Sequence, residues 1–165
     1  MRDELPGFTG KVALVVGSSR GLGRRIAELL AGQGARVIVN SASTAVDGRI
    51  VARSIRDAGG QAQYICADVS REDQVAAMAE VVRERVGRLD IVIHCAAGGS
   101  EARVMDATLP MFERTFSVNS YSLVTLARHL SPLMPSGAPQ TTESRSTTKT
   151  SVEPAGIKGE GDWLP

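Results

Sequence analysis

The sequence predicts an α/β fold, a parallel sheet with helices on both faces, and two observations lead to this prediction. Short runs of apolar, largely β-branched residues alternate with longer segments whose apolar residues recur at helical spacing. The first of these apolar runs, residues 12–16, is unbroken, which is typical of a strand buried on both faces of a parallel sheet. Because the chain contains four such runs, we expect a doubly wound sheet of about four strands.

A glycine-rich turn joins the first strand to the first helix. Residues 12–16 are apolar and mostly β-branched, and helical spacing begins at Leu22. Gly17, Gly21 and Gly23 lie where one pattern gives way to the other. The first amides of a helix are unpaired and lie at its positive end, so such a turn can bind a phosphate that glycine allows to come close. The alternative is an ordinary turn that contains three glycines by chance.

With the spacing G-x-x-x-G-x-G after a strand near the N-terminus, the chain resembles the classical short-chain dehydrogenase/reductase family. The family usually has Thr where this chain has Val16. The resemblance implies a Rossmann-type fold and an NADP-dependent oxidoreductase similar to 3-oxoacyl-(acyl carrier protein) reductases, acting on a carbonyl or secondary alcohol. It also implies that the turn binds the cofactor through Gly17, Ser19, Arg20, Gly21, Leu22 and Gly23.

The end of the second strand, residues 35–40, bears on the choice of cofactor. An acidic residue about 20 positions after the glycine turn would bind the ribose 2′-OH of NAD and repel the 2′-phosphate of NADP. This chain has Asn40 and then Ser41 there. The resemblance places a basic residue at Arg20 in NADP-preferring members, so we expect NADP (NADPH). A solvated loop arginine remains the alternative for Arg20.

Two predicted helices flank the third strand, residues 61–67. The first covers residues 44–58, and the second carries an apolar stripe formed by Val75, Met78, Ala79, Val82 and Val86. The segment between strand and helix reads Ala-Asp-Val-Ser, and the resemblance assigns the adenine ring to Asp68 and Val69. A compatible structural interpretation has Ser70 cap the helix in a capping box with Asp73.

The fourth strand ends in small residues. The family usually reads L-D-x-x-V-N-N-A-G here, and this chain keeps Leu89, Asp90 and Ile93. In place of Asn-Asn-Ala-Gly it has His94, Cys95, Ala96 and Ala97, the last three of which the resemblance places along the cofactor. Core substitution is favoured over a catalytic or metal role for His94 and Cys95, so no metal site is expected. A buried His94 needs a partner of its own.

The last helical segment has one polar residue in its apolar stripe. The apolar positions are Phe112, Phe116, Leu123, Leu126 and Leu130, and the polar one is Asn119. An unpaired buried amide costs about 1–3 kcal/mol, so Asn119 should have a partner. The segment SVNSYSLVTLAR is similar to the family helix whose Asn holds a water in a proton relay, which makes Asn119 the candidate catalytic residue. The alternative is an Asn at the edge of the stripe that reaches solvent.

The catalytic Ser and Tyr-x-x-x-Lys of the family are not readable in this sequence. Four residues after Tyr64 and Tyr121 lie Asp68 and Thr125, not Lys. From residue 136 the composition changes to Ser, Thr, Pro and Gly without apolar periodicity. We therefore expect a cofactor-binding domain over residues 1–135, a disordered tail over 136–165, and a truncated or frame-shifted product whose sheet is incomplete.

Composition narrows the partners. The net charge of +1 and the lack of a clustered basic face give no case for nucleic acid, and no apolar run is long enough to cross a membrane. Cys66 and Cys95 lie in strand-like runs, so reduced thiols and a cytoplasmic location are expected. An uncovered fourth strand, residues 91–93, and last helix would favour low stability and self-association.

Three functional hypotheses stay open. The chain is a short-chain oxidoreductase that reduces a carbonyl with NADPH, a catalytically dead dinucleotide-binding module, or a non-functional fragment. The missing Tyr and Lys weigh against turnover by this chain, whereas the glycine turn favours binding.

Overall fold

The computed structural model describes residues 7–99 and 102–135 and has the predicted fold, a parallel sheet between two layers of helices. The strands are β1 (Val12–Val16), β2 (Arg36–Ser41), β3 (Gln61–Cys66) and β4 (Ile91–His94), in the order β3-β2-β1-β4. The helices are α1 (Gly21–Gly32), α2 (Ala45–Asp57), α3 (Glu72–Arg85), α4 (Leu109–Phe116) and α5 (Ser122–Leu130). A π-helical segment, Ser117–Tyr121, joins α4 to α5, and short 3-10 turns cover Val104–Asp106 and Ser131–Leu133.

Strand β1 lies at the centre of the fold and is buried on both faces. Its register places Leu14 beside Ile38 of β2 and Val92 of β4. Successive side chains of a strand point to opposite faces, so β1 contributes to two cores. Leu14 packs in the core on the side of α3 and α5, and Val15 packs in the core on the side of α1 and α2.

The strand order contains the reversal that builds a ligand site in doubly wound sheets. The chain runs outward from β1 through β2 to β3, and then crosses back to place β4 on the other side of β1. The loops that follow β1 and β4 therefore diverge, and a crevice opens at the carboxyl ends of the strands. The other edge of β4 pairs with no strand among the described residues, and the side chains of β4 are only partly buried.

The predicted capping box before α3 is wrong. Helix α3 begins at Glu72, and its N-cap residue Arg71 makes no capping hydrogen bond through its side chain. The Ser70 hydroxyl instead donates to Asp68 Oδ1 at 2.7 Å, and the Ser70 amide donates to the same oxygen at 3.0 Å. A turn within the loop has therefore taken the hydroxyl that would have capped the helix.

The last helical segment also departs from the prediction. Its stripe is only partly buried, because Phe112 and Phe116 of α4 are 68% and 55% exposed. The extra residue of the π-helical turn rotates the positions before it relative to those after it. After that turn the residues facing the core are Ser122, Thr125, Leu126 and Leu130. The predicted stripe of α3 is confirmed, with Val75, Met78, Ala79 and Val82 buried.

The predicted tail over residues 136–165 lies outside the described residues. Within the part of the chain that the structure describes, no helix has both the length and the apolar character needed to cross a membrane.

Candidate functional site

A cleft of about 480 Å³ opens at the carboxyl ends of all four strands. This volume lies within the range of about 300–1,000 Å³ that is common for small-molecule sites. Every residue predicted to contact a cofactor lines it. They are Gly17, Ser19, Arg20, Gly21, Leu22, Gly23, Asn40, Ser41, Asp68, Val69, Cys95, Ala96 and Ala97. The wall also includes residues that sequence reasoning missed, among them Thr44, His94, Arg114 and Val118.

The three glycines of the turn serve different purposes. Gly17 has φ of +74°, and a Cβ there would lie 2.5 Å from the Ala96 amide nitrogen, so only glycine fits between β1 and the end of β4. A Cβ at Gly23 would lie 2.4 Å from the Gly17 carbonyl oxygen, so Gly23 lets α1 pack on the turn. Gly21 has φ of +57° and open space on its Cβ side. The first amides of α1 therefore face the cleft without an obstructing side chain.

Ser18 supplies the hydroxyl that holds the turn. Its Oγ donates to Val15 O at 2.6 Å and accepts from the Asn40 amide at 3.1 Å, while the Ser18 amide donates to Asn40 O at 2.9 Å. These bonds fasten the turn to β1 and β2. The hydroxyl that Val16 cannot provide is thus provided two residues later. The pair Ser18 and Ser19 in the turn is the sequence signal that could have predicted this hydroxyl.

The end of β2 presents hydroxyls to the cleft, not a carboxylate. The side-chain Nδ2 of Asn40 donates to Ile65 O and Ala67 O, at 3.1 Å each, so it holds the ends of β2 and β3 together. Next to it, Ser41 Oγ donates to Thr44 O at 3.2 Å, and Thr44 Oγ1 donates to Ser19 Oγ at 2.7 Å. The last bond ties the glycine turn to the loop after β2.

Arg20 lies on the exposed rim of the cleft. Within the described residues no ion pair or hydrogen bond of its side chain is found. Since the nearby end of β2 has no acid, this part of the cleft is positively charged and suited to an anionic group.

Asp68 and Val69 form the wall at the end of β3. The Asp68 carboxylate is turned toward Ser70, and the Asp68 amide donates to Gln74 Oε1 at 2.7 Å. These bonds hold the loop rigidly beside the cleft. Val69 is buried and gives the wall an apolar surface.

The predicted partner of His94 is present. His94 Nε2 lies 2.8 Å from Ser122 Oγ, and the Ser122 hydroxyl donates to Val118 O at 2.6 Å. Because the single Ser122 proton is used on Val118, His94 must donate through Nε2. Burial lowers the pKa of His94, which favours the neutral ring. His94 therefore joins β4 to the start of α5.

The cysteines take no part in a cross-link. Cys66 and Cys95 are both free thiols, and burial raises the pKa of Cys95. Over residues 7–99 and 102–135 no cluster of His, Cys, Asp and Glu has the geometry to hold a metal ion.

Comparison with known proteins identifies the family. The model of a family described as enoyl-(acyl carrier protein) reductase matches residues 16–155, which is most of the chain. Trihydroxynaphthalene reductase of Colletotrichum orbiculare is 40% identical over 119 residues, and versicolorin reductase 1 of Dothistroma septosporum is 41% identical over 119 residues. This chain belongs to the short-chain dehydrogenase/reductase family.

Solved structures of the family share the architecture. A short-chain dehydrogenase from Burkholderia cenocepacia in complex with NADP superposes with a TM-score of 0.73 at 31% identity, over 77% of this chain and 52% of that one. A landomycin C-6 ketoreductase with bound NADP and rabelomycin gives a TM-score of 0.73 at 35% identity, over 78% of this chain and 55% of that one.

The chain spans less than half the length of the two fungal reductases named above. The two fungal reductases align with 72% of this chain, which corresponds to 42% and 45% of their own sequences.

Asn119, the candidate catalytic residue, lies at the exposed edge of the stripe and bonds to the Gly98 backbone. Its Oδ1 accepts from the Gly98 amide and its Nδ2 donates to Gly98 O, both at 2.8 Å. The side chain is exposed and does not reach the wall of the cleft. The side-chain amide of Asn119 makes both hydrogen bonds with the Gly98 backbone and so holds the loop after β4 against the π-helical turn.

Neither tyrosine of the chain lines the cleft. Tyr64 is 1% exposed and lies outside the cleft wall, and burial raises its pKa to about 12. Its hydroxyl bonds to Ser41 Oγ at 3.0 Å, so the phenol stays protonated and structural. Tyr121 also lies outside the cleft wall, and its hydroxyl is 3.5 Å from Glu72 Oε2.

Proposed function

We propose that this chain binds NADP(H) in the cleft at the carboxyl ends of the strands, as the cofactor-binding part of a short-chain oxidoreductase that acts on a carbonyl or secondary alcohol. The observation that carries the proposal is that all of the predicted contact residues line one cleft at the reversal of strand order. The bound nicotinamide would supply or accept the hydride.

The residues of the cleft fit a dinucleotide diphosphate. The open Cβ side of Gly21 leaves room for the diphosphate against the first amides of α1. Ser19 accepts from Thr44, so the proton of its own hydroxyl is available to a phosphate oxygen. Arg20 would hold the 2′-phosphate beside Ser41, and no carboxylate at the end of β2 would repel it.

We also propose that this chain does not turn over a substrate by itself. The support is the sequence, in which no Tyr is followed four residues later by Lys, and the buried, protonated state of Tyr64. The alternatives to a binding protein of this kind are an active reductase and a non-functional fragment. Steady oxidation of NADPH with model ketones that Asn119→Ala abolishes would favour the active reductase.

The test of the binding proposal uses two matched glycines. Gly21 and Gly10 have φ of +57° and +77°, and neither has an atom within 4 Å of an added Cβ, but only Gly21 lines the cleft. Each change to Ala should cost about 1 kcal/mol of stability through backbone strain. We expect Gly21→Ala to weaken NADPH binding about tenfold, since a methyl group added to a closely packed contact costs about 1–3 kcal/mol.

Binding is measured by calorimetric titration and by the shift of melting temperature. Gly10→Ala should bind NADPH like the parent chain, and the parent should bind NADPH more tightly than NADH. An unchanged melting temperature at millimolar NADPH, or an equal loss of affinity in both glycine variants, would reject the binding site.

A cytoplasmic location and self-association complete the proposal. The two cysteines form no disulfide, as a reducing compartment would require. Apolar side chains on α4 and α5 are exposed, and β4 has an unpaired edge within the described residues. Both features favour contact with a second copy.

A further inference from the structure

Arg114 is a positively charged residue in the cleft wall that the sequence analysis did not assign. It lies on α4, is exposed, and lines the cleft. Among residues 7–99 and 102–135 its side chain has no ion pair and no hydrogen bond. A long cation without a partner, facing a ligand cleft, is available to the ligand.

The helix face that carries Arg114 shows which part of the cleft it reaches. Val118 lies one turn further along the same face, and a Cβ at Gly98 would lie 3.3 Å from Val118 Cβ. Tyr121, about two turns along, contacts Glu72, where α3 begins just after the Asp68 loop. Arg114 therefore lies between the loop after β4 and the loop after β3.

The places suited to phosphate belong to other elements than the one that carries Arg114. The diphosphate would lie on the first amides of α1, and the 2′-phosphate beside Arg20 and Ser41 at the end of β2. Between the loops after β3 and β4 the wall is apolar, formed by Val69 and Val118, which are both buried. Asp68 is the only acid among the cleft residues that the structure describes, and one oxygen of its carboxylate accepts two hydrogen bonds from Ser70.

We propose that Arg114 is a cofactor-binding residue whose guanidinium lies flat against the adenine ring and closes the adenine end of the cleft. A planar guanidinium stacks on a purine while its edges stay hydrated, which suits an exposed arginine above an apolar wall. The inference rests on the proposed function, because it needs a dinucleotide in this cleft.

The test separates an adenine contact from a phosphate contact. Dissociation constants for NADPH and NADH are measured by calorimetry for the parent chain, Arg114→Ala, Arg114→Lys and Arg20→Ala. Adenine is common to both cofactors, so Arg114→Ala should weaken both by the same factor of roughly 3–10. Arg20→Ala should weaken NADPH more than NADH. Arg114→Lys should show most of the affinity loss seen in Arg114→Ala, because lysine retains the charge but lacks the planar guanidinium.

Arg103→Ala is the matched control, since Arg103 is exposed and outside the cleft, and both affinities should stay unchanged. Unchanged affinities in Arg114→Ala would overturn the inference and leave the proposed function intact. A loss confined to NADPH would assign Arg114 to the 2′-phosphate and also overturn it. A parent chain that binds neither cofactor would overturn the proposed function and this inference together.

Discussion

The turn between β1 and α1 is held by contacts with the rest of the fold, whereas the segment from α4 to α5 leaves part of its apolar surface exposed. In the turn, Ser18 bonds to β1 and β2, and Gly17 packs on the Ala96 backbone. In α4 no residue is buried, although half of its residues are apolar. The turn is complete within the described residues, whereas α4 presents an apolar face that nothing among them covers.

This comparison separates a property that the described residues provide by themselves from one that needs a further contact. Most of the cleft is formed by the loops after β1 to β4, and Arg114 and Val118 of the last helical segment complete its wall, so a dinucleotide bound there would need no element outside the described residues. An exposed apolar helix face gains stability only by contact with something else. Cofactor binding and the covering of α4 are therefore separable, and variants on each side should behave independently.

A large loss of stability is expected where the turn touches β4. In Gly17→Ala the new methyl group would lie 2.5 Å from the Ala96 nitrogen, in a backbone with φ of +74°. Strain of about 1 kcal/mol and a clash of about 1–3 kcal/mol should together remove about 3 kcal/mol of unfolding free energy. Denaturant unfolding followed by circular dichroism measures it.

Gly32→Ala is the matched control for that change. Gly32 lies within α1, away from the cleft, and an added Cβ meets no atom within 4 Å. Alanine should leave the free energy of unfolding unchanged or raise it, because it favours a helix more than glycine does. Equal stability in Gly17→Ala and Gly32→Ala would show that the turn does not pack against β4 as described.

A second prediction compares two apolar residues of the last helical segment. Leu130 is 1% exposed and Phe112 is 68% exposed. Leu130→Ala should cost about 2–5 kcal/mol, whereas Phe112→Ala should change the stability of the monomer by less than about 0.5 kcal/mol. If a second copy covers α4, the melting temperature of the parent rises with protein concentration and Phe112→Ala reduces that rise.

Sedimentation equilibrium provides the matching readout for Phe112→Ala. The parent should associate, and the variant should be shifted toward monomer. A parent chain that is monomeric at all concentrations, with a cooperative melt, would contradict self-association through this face.

The sheet and the cleft could be predicted from the sequence because their signals are local. Each strand is a short segment of four to six residues that is rich in apolar side chains, and glycines mark the turn after β1. The cleft residues follow the carboxyl ends of the strands, and parallel strands bring those ends to one edge. Their sequence positions therefore implied their proximity, and the structure places them in one cleft.

The misses involve contacts that local patterns do not encode. Ser70 had two possible partners, and the Asp68 carboxylate took the hydroxyl that helix α3 could have used. The π-helical turn changed the phase of the last stripe, because Asn119 bonds to Gly98 on a distant loop. Arg114 showed no sequence signal, since its place in the cleft depends on the position of α4 over two loops.

The smallest effect is expected at His94, which joins β4 to α5. Its folded pKa is lower than the ordinary value of about 6.5, because burial disfavours the charged ring. The unfolded chain therefore binds more protons between the two values, so the stability is fully present above the unfolded pKa and falls as pH drops through it. Unfolding free energies from about pH 7.5 to about pH 5.5 should decline more in the parent than in His94→Asn. A decline of the same size in His94→Asn would mean that the His94 ring does not titrate against its burial.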